Sequence, residues 1–496
     1  MAKVIEALVR LAQTYPMRVA FEDDQGSISY GGLAARVAGA FAELKNGQGP
    51  IGLMAENSID WVVADLAITA TGRRFIPLPP FFSDEQLAHI VSDGDLHEIL
   101  SDDHNIERAR AFAKVESVPL SLAPAERLLD AMPGNRVIYT SGSTGQPKGV
   151  QLGDGQIDFI SQALAEAISA TQADRYLSLL PFPLLLEELC GIHVPILVGG
   201  SSAIRRTVVA ACAAGDLDAI RLAYEEVQPS VSVLVPELLR AWVGALLLGG
   251  HKAPESLRVI AVGGAPVPPQ VLEAAKSVGI PCLEGYGLSE CGSVVAVNRP
   301  GDAVAGSVGK PLPGIQVEIV DGEIVVDAPS VMDGYLGQPA QHGRWRTGDL
   351  GHFDGNGNLV VEGRKDAMLV TGFGRNVQPE WIEASFQGDA RIARAVLAGH
   401  GQAFPTLILV PGPFAGDFFE AATPTDIFEM LDDICATAPV YARPASLILT
   451  SNDEMQSLGL LSPNGRIKRA IVHQWLQSTA ARSRILRSPN EKDEVA

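Results

Sequence analysis

Residues 139–149 read Tyr-Thr-Ser-Gly-Ser-Thr-Gly-Gln-Pro-Lys-Gly and follow a strand-like run that begins at Arg136. Glycines let backbone N–H groups approach oxygen anions, hydroxyl groups donate further hydrogen bonds, and a lysine adds a mobile positive charge. This composition predicts a polyphosphate-binding loop, although the G-x-x-x-x-G-K-[ST] spacing of the common nucleotide loop is not present. The alternative for a Gly/Ser-rich stretch taken alone is an exposed flexible turn.

Around this loop, the chain alternates short apolar runs with longer periodic segments up to about residue 300. That alternation predicts mostly parallel sheets layered with helices, and thus an α/β fold. For example, residues 257–262 are strand-like, two glycines follow, and a helix is expected to begin at Pro268 and Pro269. Further on, residues 316–326 predict a β-hairpin around an Asp-Gly turn. A chain of 496 residues also predicts several domains.

Composition argues against several classes of function. The formal net charge is -20, whereas nucleic acids and anionic membranes require clustered Lys and Arg. The five cysteines have irregular spacings, which suggest neither disulfides nor a zinc site but a reducing compartment. The N-terminus predicts an amphipathic helix with Val4, Ile5, Leu8 and Leu11 on one side, and not a signal peptide. A cytoplasmic protein with no integral membrane segment is expected.

The string at 139–149 resembles the signature loop of the adenylate-forming superfamily. This superfamily includes acyl-CoA synthetases, firefly-type luciferases and the adenylation domains of peptide synthetases. Later segments are similar to its other motifs in the same order, so the resemblance spans about residues 20 to 475. These segments are Gly263-Gly264-Ala265-Pro266, Glu284-Gly285-Tyr286-Gly287-Leu288-Ser289-Glu290, Trp345-Arg346-Thr347-Gly348-Asp349, Gly363-Arg364-Lys365-Asp366 and residues 372–380.

The resemblance implies a role for each matching residue. Tyr286 is expected to stack on adenine, Asp349 to accept hydrogen bonds from the ribose hydroxyls, and Glu290 to hold Mg²⁺ together with Thr140. Ser289 is expected to touch phosphate or carboxylate, and Lys148 to act in catalysis. The remaining nucleotide-binding residues implied are Ser141, Gly142, Ser143, Thr144, Gly145, Gly263, Gly264, Ala265, Glu284, Gly285, Gly287, Arg364 and Lys468. The thiol is expected to enter past Gly372, Phe373 and Gly374.

The same resemblance implies a domain organisation. Residues 1–365 are expected to form a large domain of two α/β subdomains, up to about residue 300, and a distorted β-barrel over about 301–365. Residues 366–496 are expected to form a small, mobile α+β domain that acts as a lid. Its hinge is expected near Asp366, so that rotation lets one site serve two half-reactions.

Two positions depart from the family pattern. Arg466 stands where the family has its adenylation lysine, and its planar guanidinium is not geometrically equivalent to an ammonium group. Lys468, two residues later, is the alternative if the register shifts. Leu184 stands where many relatives have a histidine, and we interpret the nearby His193 as a satisfied core or cap residue.

The resemblance therefore implies an enzyme that uses ATP, Mg²⁺ and CoA to convert a carboxylic acid, of medium or long chain length, into an acyl-CoA. Two alternatives stay open. The acyl group could pass instead to an acyl carrier protein or another acceptor after the same adenylation. In a different class, the chain would be a catalytically impaired nucleotide-binding protein that regulates a partner. The sequence offers no convincing Ser-His-Asp or Cys-His arrangement for a protein nucleophile.

Overall fold

The computed structural model describes residues 1–119, 121–141, 147–341, 343–412, 414–461, 465 and 467–488. Helices and strands alternate through most of these ranges, which confirms the predicted α/β fold class. The helices are α1 (Lys3–Thr14), α2 (Tyr30–Leu44), α3 (Ile59–Thr71), α4 (Asp84–Asp93), α5 (Ile106–Arg110), α6 (Asp154–Ala167), α7 (Leu185–Glu188), α8 (Val194–Val198), α9 (Thr207–Ala213), α10 (Asp218–Val227), α11 (Pro236–Gly249), α12 (Pro269–Ser277), α13 (Pro379–Gln387), α14 (Phe418–Ala421), α15 (Pro424–Ile434), α16 (Asn452–Ser457), α17 (Arg469–Leu476) and α18 (Thr479–Arg482).

Short 3₁₀ turns occur at Ala125–Asp130, Ser289–Cys291 and Val440–Ala442, and one π-helical turn at Leu189–His193. The strands are β1 (Val19–Asp23), β2 (Gly26–Ser29), β3 (Ile51–Met54), β4 (Phe75–Pro77), β5 (Glu98–Ser101), β6 (Lys114–Ser117), β7 (Asn135–Ser141), β8 (Pro147–Gly153), β9 (Arg175–Ser178), β10 (Ser201–Ile204), β11 (Val231–Leu234), β12 (Val259–Val262), β13 (Cys282–Tyr286), β14 (Ala296–Val297), β15 (Lys310–Pro311), β16 (Gln316–Val320), β17 (Glu323–Asp327), β18 (Gly334–Tyr335), β19 (Arg344–Phe353), β20 (Leu359–Arg364), β21 (Leu369–Val370), β22 (Asn376–Val377), β23 (Ile392–Ala398), β24 (Thr406–Pro411), β25 (Ser446–Leu449) and β26 (Leu486–Arg487).

Two mostly parallel sheets dominate the first 300 residues. One has nine strands in the order β15-β14-β13-β12-β11-β9-β10-β1-β2, and the other has seven in the order β18-β8-β7-β4-β3-β5-β6. The five neighbouring pairs from β1 through β13 in the first sheet are parallel, as are the four from β7 through β6 in the second. Two helix-flanked parallel sheets of this kind bury continuous apolar strands, which explains the short apolar runs in the sequence.

Between residues 306 and 364 the strand pairs are antiparallel. The predicted hairpin is confirmed as β16 and β17, joined by Asp321 and Gly322, which both have positive φ values (53° and 78°) as a two-residue hairpin turn requires. These strands continue into a four-stranded sheet ordered β16-β17-β19-β20. A last sheet, β23-β24-β25-β26, lies in the C-terminal part of the chain.

Local signals set several boundaries. Helix α12 begins at Pro269, as predicted, with Pro268 as the residue that precedes it. Strand β12 starts two residues later than predicted, at Val259, and the guanidinium of Arg258, just before it, pairs with Asp174 at 2.5 Å. The predicted N-terminal helix is also confirmed, since Val4, Ile5, Leu8 and Leu11 are all buried on α1.

The buried hydrophobic residues form separate clusters on the two sides of residue 366, where the sequence motifs predict the domain boundary. In the described ranges, each cluster of buried apolar side chains lies entirely before residue 366 or entirely after it. Separate cores are typical of separate domains. We therefore propose the boundary between the large and the small domain near Asp366.

None of the helices in the described part of the chain combines the length and the apolar character needed to cross a bilayer. The five cysteines are free thiols.

A buried ionic cluster joins β7 to α3, to α7 and to the π-helical turn that follows α7. Arg136 on β7 contacts Glu188, and lies 3.7 Å from Asp65 on α3. Burial raises the pKa of Asp65 to about 6, which the neighbouring Arg136 opposes. His193 lies 3.8 Å from Glu188 and 3.9 Å from Asp65. Because the guanidinium already occupies the space beside Glu188, we interpret the group as an ion-pair network and not as a metal site.

This cluster corrects the interpretation of His193. The residue is buried, as expected of a core position, but neither ring nitrogen has a hydrogen-bond partner in the described ranges. Burial and the nearby Arg136 hold the pKa of His193 well below its usual value, so its ring is neutral. It is therefore a core residue but not a satisfied one, because the two carboxyl groups that face it lie beyond hydrogen-bonding distance.

Candidate active site

A large cleft of about 2770 Å³ lies at the carboxyl ends of several parallel strands. Ligands of open α/β sheets bind at this edge, because the loops that leave the strands converge there. Residues from the large domain and from the C-terminal part of the chain both line it. The predicted site residues that line the cleft are Thr140, Lys148, Gly263, Gly264, Ala265, Glu284, Gly285, Tyr286, Gly287, Ser289, Glu290, Asp349, Arg364, Asp366 and Lys468.

The two ends of the predicted phosphate loop meet at one edge of this cleft. Strands β7 and β8 pair antiparallel, with Thr140 directly opposite Lys148, so both side chains point to the same face. On the neighbouring helix, a ring nitrogen of His89 lies 3.0 Å from the Pro147 carbonyl oxygen. Gly142, Ser143, Thr144 and Gly145 lie outside the described residues, as does the side chain of Ser141.

The predicted magnesium ligand, Glu290, is held by a residue that the sequence did not single out. The Tyr335 hydroxyl donates a hydrogen bond of 2.7 Å to Glu290 Oε1. Lys148 Nζ lies 5.4 Å from the centre of the same tyrosine ring, a distance at which a cation is attracted to an aromatic face. Burial, and then the bond to Glu290, raise the pKa of Tyr335, so its hydroxyl remains a donor. Tyr335 therefore links Lys148, at the end of the predicted phosphate loop, to Glu290.

A second network surrounds Asp349. The Tyr286 hydroxyl donates to Asp349 Oδ2 at 2.5 Å, and Arg364 Nη1 lies 3.1 Å from Asp349 Oδ1. Arg364 also reaches Asp366 at 3.6 Å. Burial raises the pKa of Asp349, while Tyr286 and Arg364 oppose this shift. Both carboxylate oxygens thus accept hydrogen bonds within the protein, and a ribose would share or replace these partners.

Glycines shape the edge of the cleft just after β12 and β13. A Cβ atom on Gly287 would collide with the Ser293 carbonyl, so no larger residue fits there. Gly264 has a φ of +86°, a left-handed conformation that glycine adopts without strain. Nearby, burial raises the pKa of Glu284 to about 7, opposed by a weak bond from the Gly306 N–H at 3.4 Å.

Only some of the predicted site residues in the C-terminal part of the chain line the cleft. Gly465, Ile467 and Lys468 line the cleft, while Arg466, between them, lies outside the described residues. The predicted thiol path, residues 372–374, does not line the cleft, and Phe373 is exposed. The structure thus brings the described residues predicted to bind the nucleotide together with Lys468 in one cleft, whereas residues 372–374 do not line it.

Two cleft residues, Tyr335 and His89, escaped the sequence analysis. Tyr335 reaches the cleft because its strand, β18, pairs with β8, the strand that follows the predicted phosphate loop. The hydrogen bond between Tyr335 and Glu290 joins residues that are 45 positions apart in the sequence. The only local signal is an aromatic residue after Asp-Gly at 333–334. His89 carried no signal, since a histidine on an amphipathic helix is common.

Comparison with known proteins gives one family match and several relatives. The family model described as AMP-binding enzyme matches residues 8–336. The chain is 27% identical over 350 residues to 2-succinylbenzoate–CoA ligase of Bacillus subtilis (strain 168), a match of 66% of this chain and 65% of that protein. It is 29% identical over 386 residues to the putative fatty-acid–CoA ligase fadD11 of Mycobacterium tuberculosis, covering 64% of this chain and 65% of the relative. The chain thus spans just under two thirds of these relatives.

Among solved structures, the chain is similar to O-succinylbenzoate coenzyme A synthetase from Bacillus subtilis in complex with ATP and a magnesium ion. The TM-score is 0.75 at 22% identity, over 94% of this chain and 98% of that one. This likeness shows that the two chains share a fold.

Proposed function

Because this chain belongs to the family of AMP-binding enzymes, we propose that it activates a carboxylic acid with ATP and then passes the acyl group to coenzyme A. The observation that carries the proposal is the shared cleft, which Lys148, Glu290 and Asp349 all line. Groups suited to phosphate, a hard cation and a sugar thus face one space. The Bacillus and Mycobacterium relatives are both named as CoA ligases, which supports the proposal.

The first step makes the acid reactive. A free carboxylate is a poor acyl donor, because its leaving group would be oxide. In this step a carboxylate oxygen attacks the α-phosphorus of ATP, the bond to the bridging oxygen of the β-phosphate breaks, and pyrophosphate leaves with that electron pair. Lys148 and Arg466 place positive charge where negative charge gathers. Bound Mg²⁺ supplies Lewis-acid charge neutralisation, and Glu290 with Thr140 would hold it.

The second step transfers the acyl group. The sulfur of a coenzyme A thiolate attacks the acyl carbonyl carbon, the C–S bond forms, and AMP leaves with the electrons of the anhydride C–O bond. Residues 372–374 stand away from the cleft in the arrangement described above. We therefore propose that the small domain rotates about Asp366 between the steps, because a lid that excludes water must open before a bulky thiol enters.

The Tyr335 hydroxyl offers a test of the magnesium assignment. Tyr335→Phe removes the donor that orients Glu290 but keeps the ring beside Lys148. The Mg²⁺ concentration that gives half-maximal pyrophosphate release is expected to rise about 10-fold, since losing a residue that orients a metal ligand typically costs this much. An unchanged Mg²⁺ titration would contradict the assignment. Phe353→Tyr, a comparable change at an exposed strand end, serves as the control.

An apolar arm of the cleft indicates which kind of acid the protein would bind. Its sheet side consists of residues that share one face by register: Tyr176, Val231, Val233, Val259 and Ala261. Its helical side includes Leu164, Ile168, Cys190, Val194 and Val198. The arm continues to Asp174 and Ser201, at the amino ends of β9 and β10.

The length of this arm sets the chain length of the proposed substrate. Four-residue strands rise about 13 Å, while an extended chain advances about 1.2 Å per bond. The arm thus has room for roughly ten bonds of an unbranched chain. We propose that the acid is a medium- or long-chain fatty acid. A polar side chain, Glu187, lies behind the arm, and burial raises its pKa to about 8, so it adds little charge there at neutral pH.

Narrowing the arm is expected to change chain-length preference. Val231→Phe enlarges a buried side chain at the amino end of β11, in the inner part of the arm. The kcat/KM for a 12-carbon acid is expected to fall about 10- to 100-fold, in line with the 1–3 kcal/mol cost of overpacking, while a 6-carbon acid keeps its rate. Competition between the two acids in one reaction measures this ratio directly. Equal losses for both acids would contradict the assignment of the arm.

One experiment tests both which acid is activated and which molecule accepts the acyl group. Purified protein is incubated with ATP, Mg²⁺ and saturated acids of graded chain length, with and without coenzyme A, while pyrophosphate and AMP are measured. We expect acid-dependent pyrophosphate release, and AMP release that rises with coenzyme A. Turnover with a pantetheinylated carrier protein but not with coenzyme A would replace the acceptor. ATP binding without acid-dependent turnover would instead support the regulatory alternative.

A further inference from the structure

A second, smaller cavity lies beside the inner end of the apolar arm. This side cavity has a volume of about 540 Å³ and is lined by residues of α1, α6 and α8. Its apolar residues include Ala7, Ala165 and Leu197, and Lys3 is one of its charged residues. Among the described residues, Val198 alone lines both the side cavity and the cleft that contains the arm.

Two helices form the partition between the arm and the side cavity. On α6, Leu164 lines the arm, whereas Ala165 lines the side cavity. On α8, Val194 lines the arm, whereas Leu197 lines the side cavity. Val198 is the last residue of α8 and comes shortly before β10, at the amino edge of the sheet where the arm ends. The far end of an acyl chain in the arm would therefore arrive at Val198.

Hydrogen bonds hold the backbone on both sides of Val198. After it, the buried Tyr30 hydroxyl donates a hydrogen bond of 2.8 Å to the Gly200 carbonyl oxygen. Before it, Nη2 of Arg10 on α1 donates a hydrogen bond of 3.4 Å to the Leu197 carbonyl oxygen. Because protein interiors are close-packed and yield little, a chain that reaches the Val198 side chain meets a fixed wall.

We infer that Val198 sets the upper chain length of the acid: its side chain closes the inner end of the arm, and a smaller residue there joins the arm to the side cavity. The inference rests on the proposed function and deepens it, because it names the residue that separates shorter from longer acids. The arm has room for roughly ten bonds, so acids of up to about 12 carbons end before Val198. A 16-carbon acid needs the space beyond it.

The test is a competition between a 12-carbon and a 16-carbon saturated acid in one reaction with ATP and Mg²⁺. Hydroxylamine is added as a trap: its nitrogen attacks the acyl carbonyl carbon of each adenylate, a hydroxamate forms and AMP leaves. The ratio of the two hydroxamates then gives the ratio of the two kcat/KM values, whichever acceptor the protein uses.

Val198→Ala removes two methyl groups from the wall. We expect the wild-type protein to prefer the 12-carbon acid. In Val198→Ala the ratio of 16-carbon to 12-carbon product is expected to rise about 10-fold or more, because space for even one methylene group in an apolar pocket changes kcat/KM by about this factor.

Two neighbours on α8 supply matched controls. Leu197→Ala enlarges only the side cavity, and Val194→Ala enlarges only the arm. Neither variant joins the two spaces. Both are expected to keep the wild-type product ratio, since a loss of contacts shared by the two acids cancels in a ratio of kcat/KM values.

Each outcome decides a different point. A wild-type protein that uses the two acids equally, or a Val198→Ala protein with the wild-type ratio and the wild-type melting temperature, overturns the inference. A ratio that rises as much in Leu197→Ala or Val194→Ala as in Val198→Ala also overturns it. No acid-dependent pyrophosphate release from the wild-type protein with any acid overturns the proposed function instead.

Discussion

Glu290→Gln is expected to lower acid-dependent pyrophosphate release about 100- to 1000-fold, the usual cost of removing a group that stabilises transition-state charge. The amide keeps the size of the side chain but loses the negative charge that a hard cation requires of its ligand. The substitution also changes the partner of the Tyr335 hydroxyl, which in the wild-type protein donates a hydrogen bond of 2.7 Å to a carboxylate oxygen of Glu290. The measurement is the initial rate at saturating ATP and acid over a range of Mg²⁺ concentrations.

A surface glutamate gives the control for this substitution. Glu318 on β16 pairs with Arg344 at 2.7 Å, with both side chains more than half exposed, and it does not line the cleft. Glu318→Gln should keep the wild-type rate, because exposed ion pairs contribute little. If Glu290→Gln also kept that rate at limiting Mg²⁺, Glu290 would not be a ligand of the catalytic metal.

Arg466→Ala is expected to slow adenylate formation about 100-fold or more, while thioester formation from a supplied adenylate changes less than about 3-fold. The guanidinium is needed where negative charge collects on the phosphates, and that charge has left with pyrophosphate before the thiol attacks. Pyrophosphate exchange and thioester formation, measured separately, give the two rates.

Lys468→Ala is the companion variant for this prediction. Lys468 lines the cleft and stands two residues from Arg466, so it is the other cation that could serve. If Lys468→Ala lost adenylation while Arg466→Ala kept it, the roles of the two residues would be exchanged. Equal loss of both half-reactions in Arg466→Ala, or no loss at all, would argue against a role specific to adenylation.

Much of the fold could be predicted from the sequence, because its signals are local. The Asp-Gly pair at 321–322 marks its own hairpin, and the prolines at 268–269 mark the start of α12. The alternation of apolar runs with periodic segments gave the α/β class in the same way. Each of these features depends on residues only a few positions apart.

The contacts that complete the site could not be predicted, because they join distant parts of the chain. Tyr286 and Asp349, 63 positions apart, meet only when β13 and β19 reach the same cleft. Tyr335, which contacts Glu290, lies on a two-residue strand that the sequence pattern did not predict. The motifs indicated which residue types serve the chemistry, but not which neighbours orient them.

The apolar arm of the cleft could not be predicted from the sequence either. Leu184 in place of a histidine weakened any substrate prediction from sequence, and the arm itself follows from strand register. Val231 stands opposite Tyr176 and Val259, and this register puts their side chains on one face. A shift of one residue would turn those side chains to the other face of the sheet.

The central claim is that one nucleotide contacts Lys148, Glu290 and Asp349 at the same time. A crystal structure of the protein with Mg²⁺ and a non-hydrolysable ATP analogue tests it most directly. We expect the metal about 2.1 Å from a Glu290 oxygen, as Mg²⁺ coordination requires, a ribose hydroxyl about 2.7 Å from an Asp349 oxygen, and Lys148 on the phosphates. A nucleotide bound in another cavity, or one that leaves Glu290 and Asp349 without contact, would contradict the account.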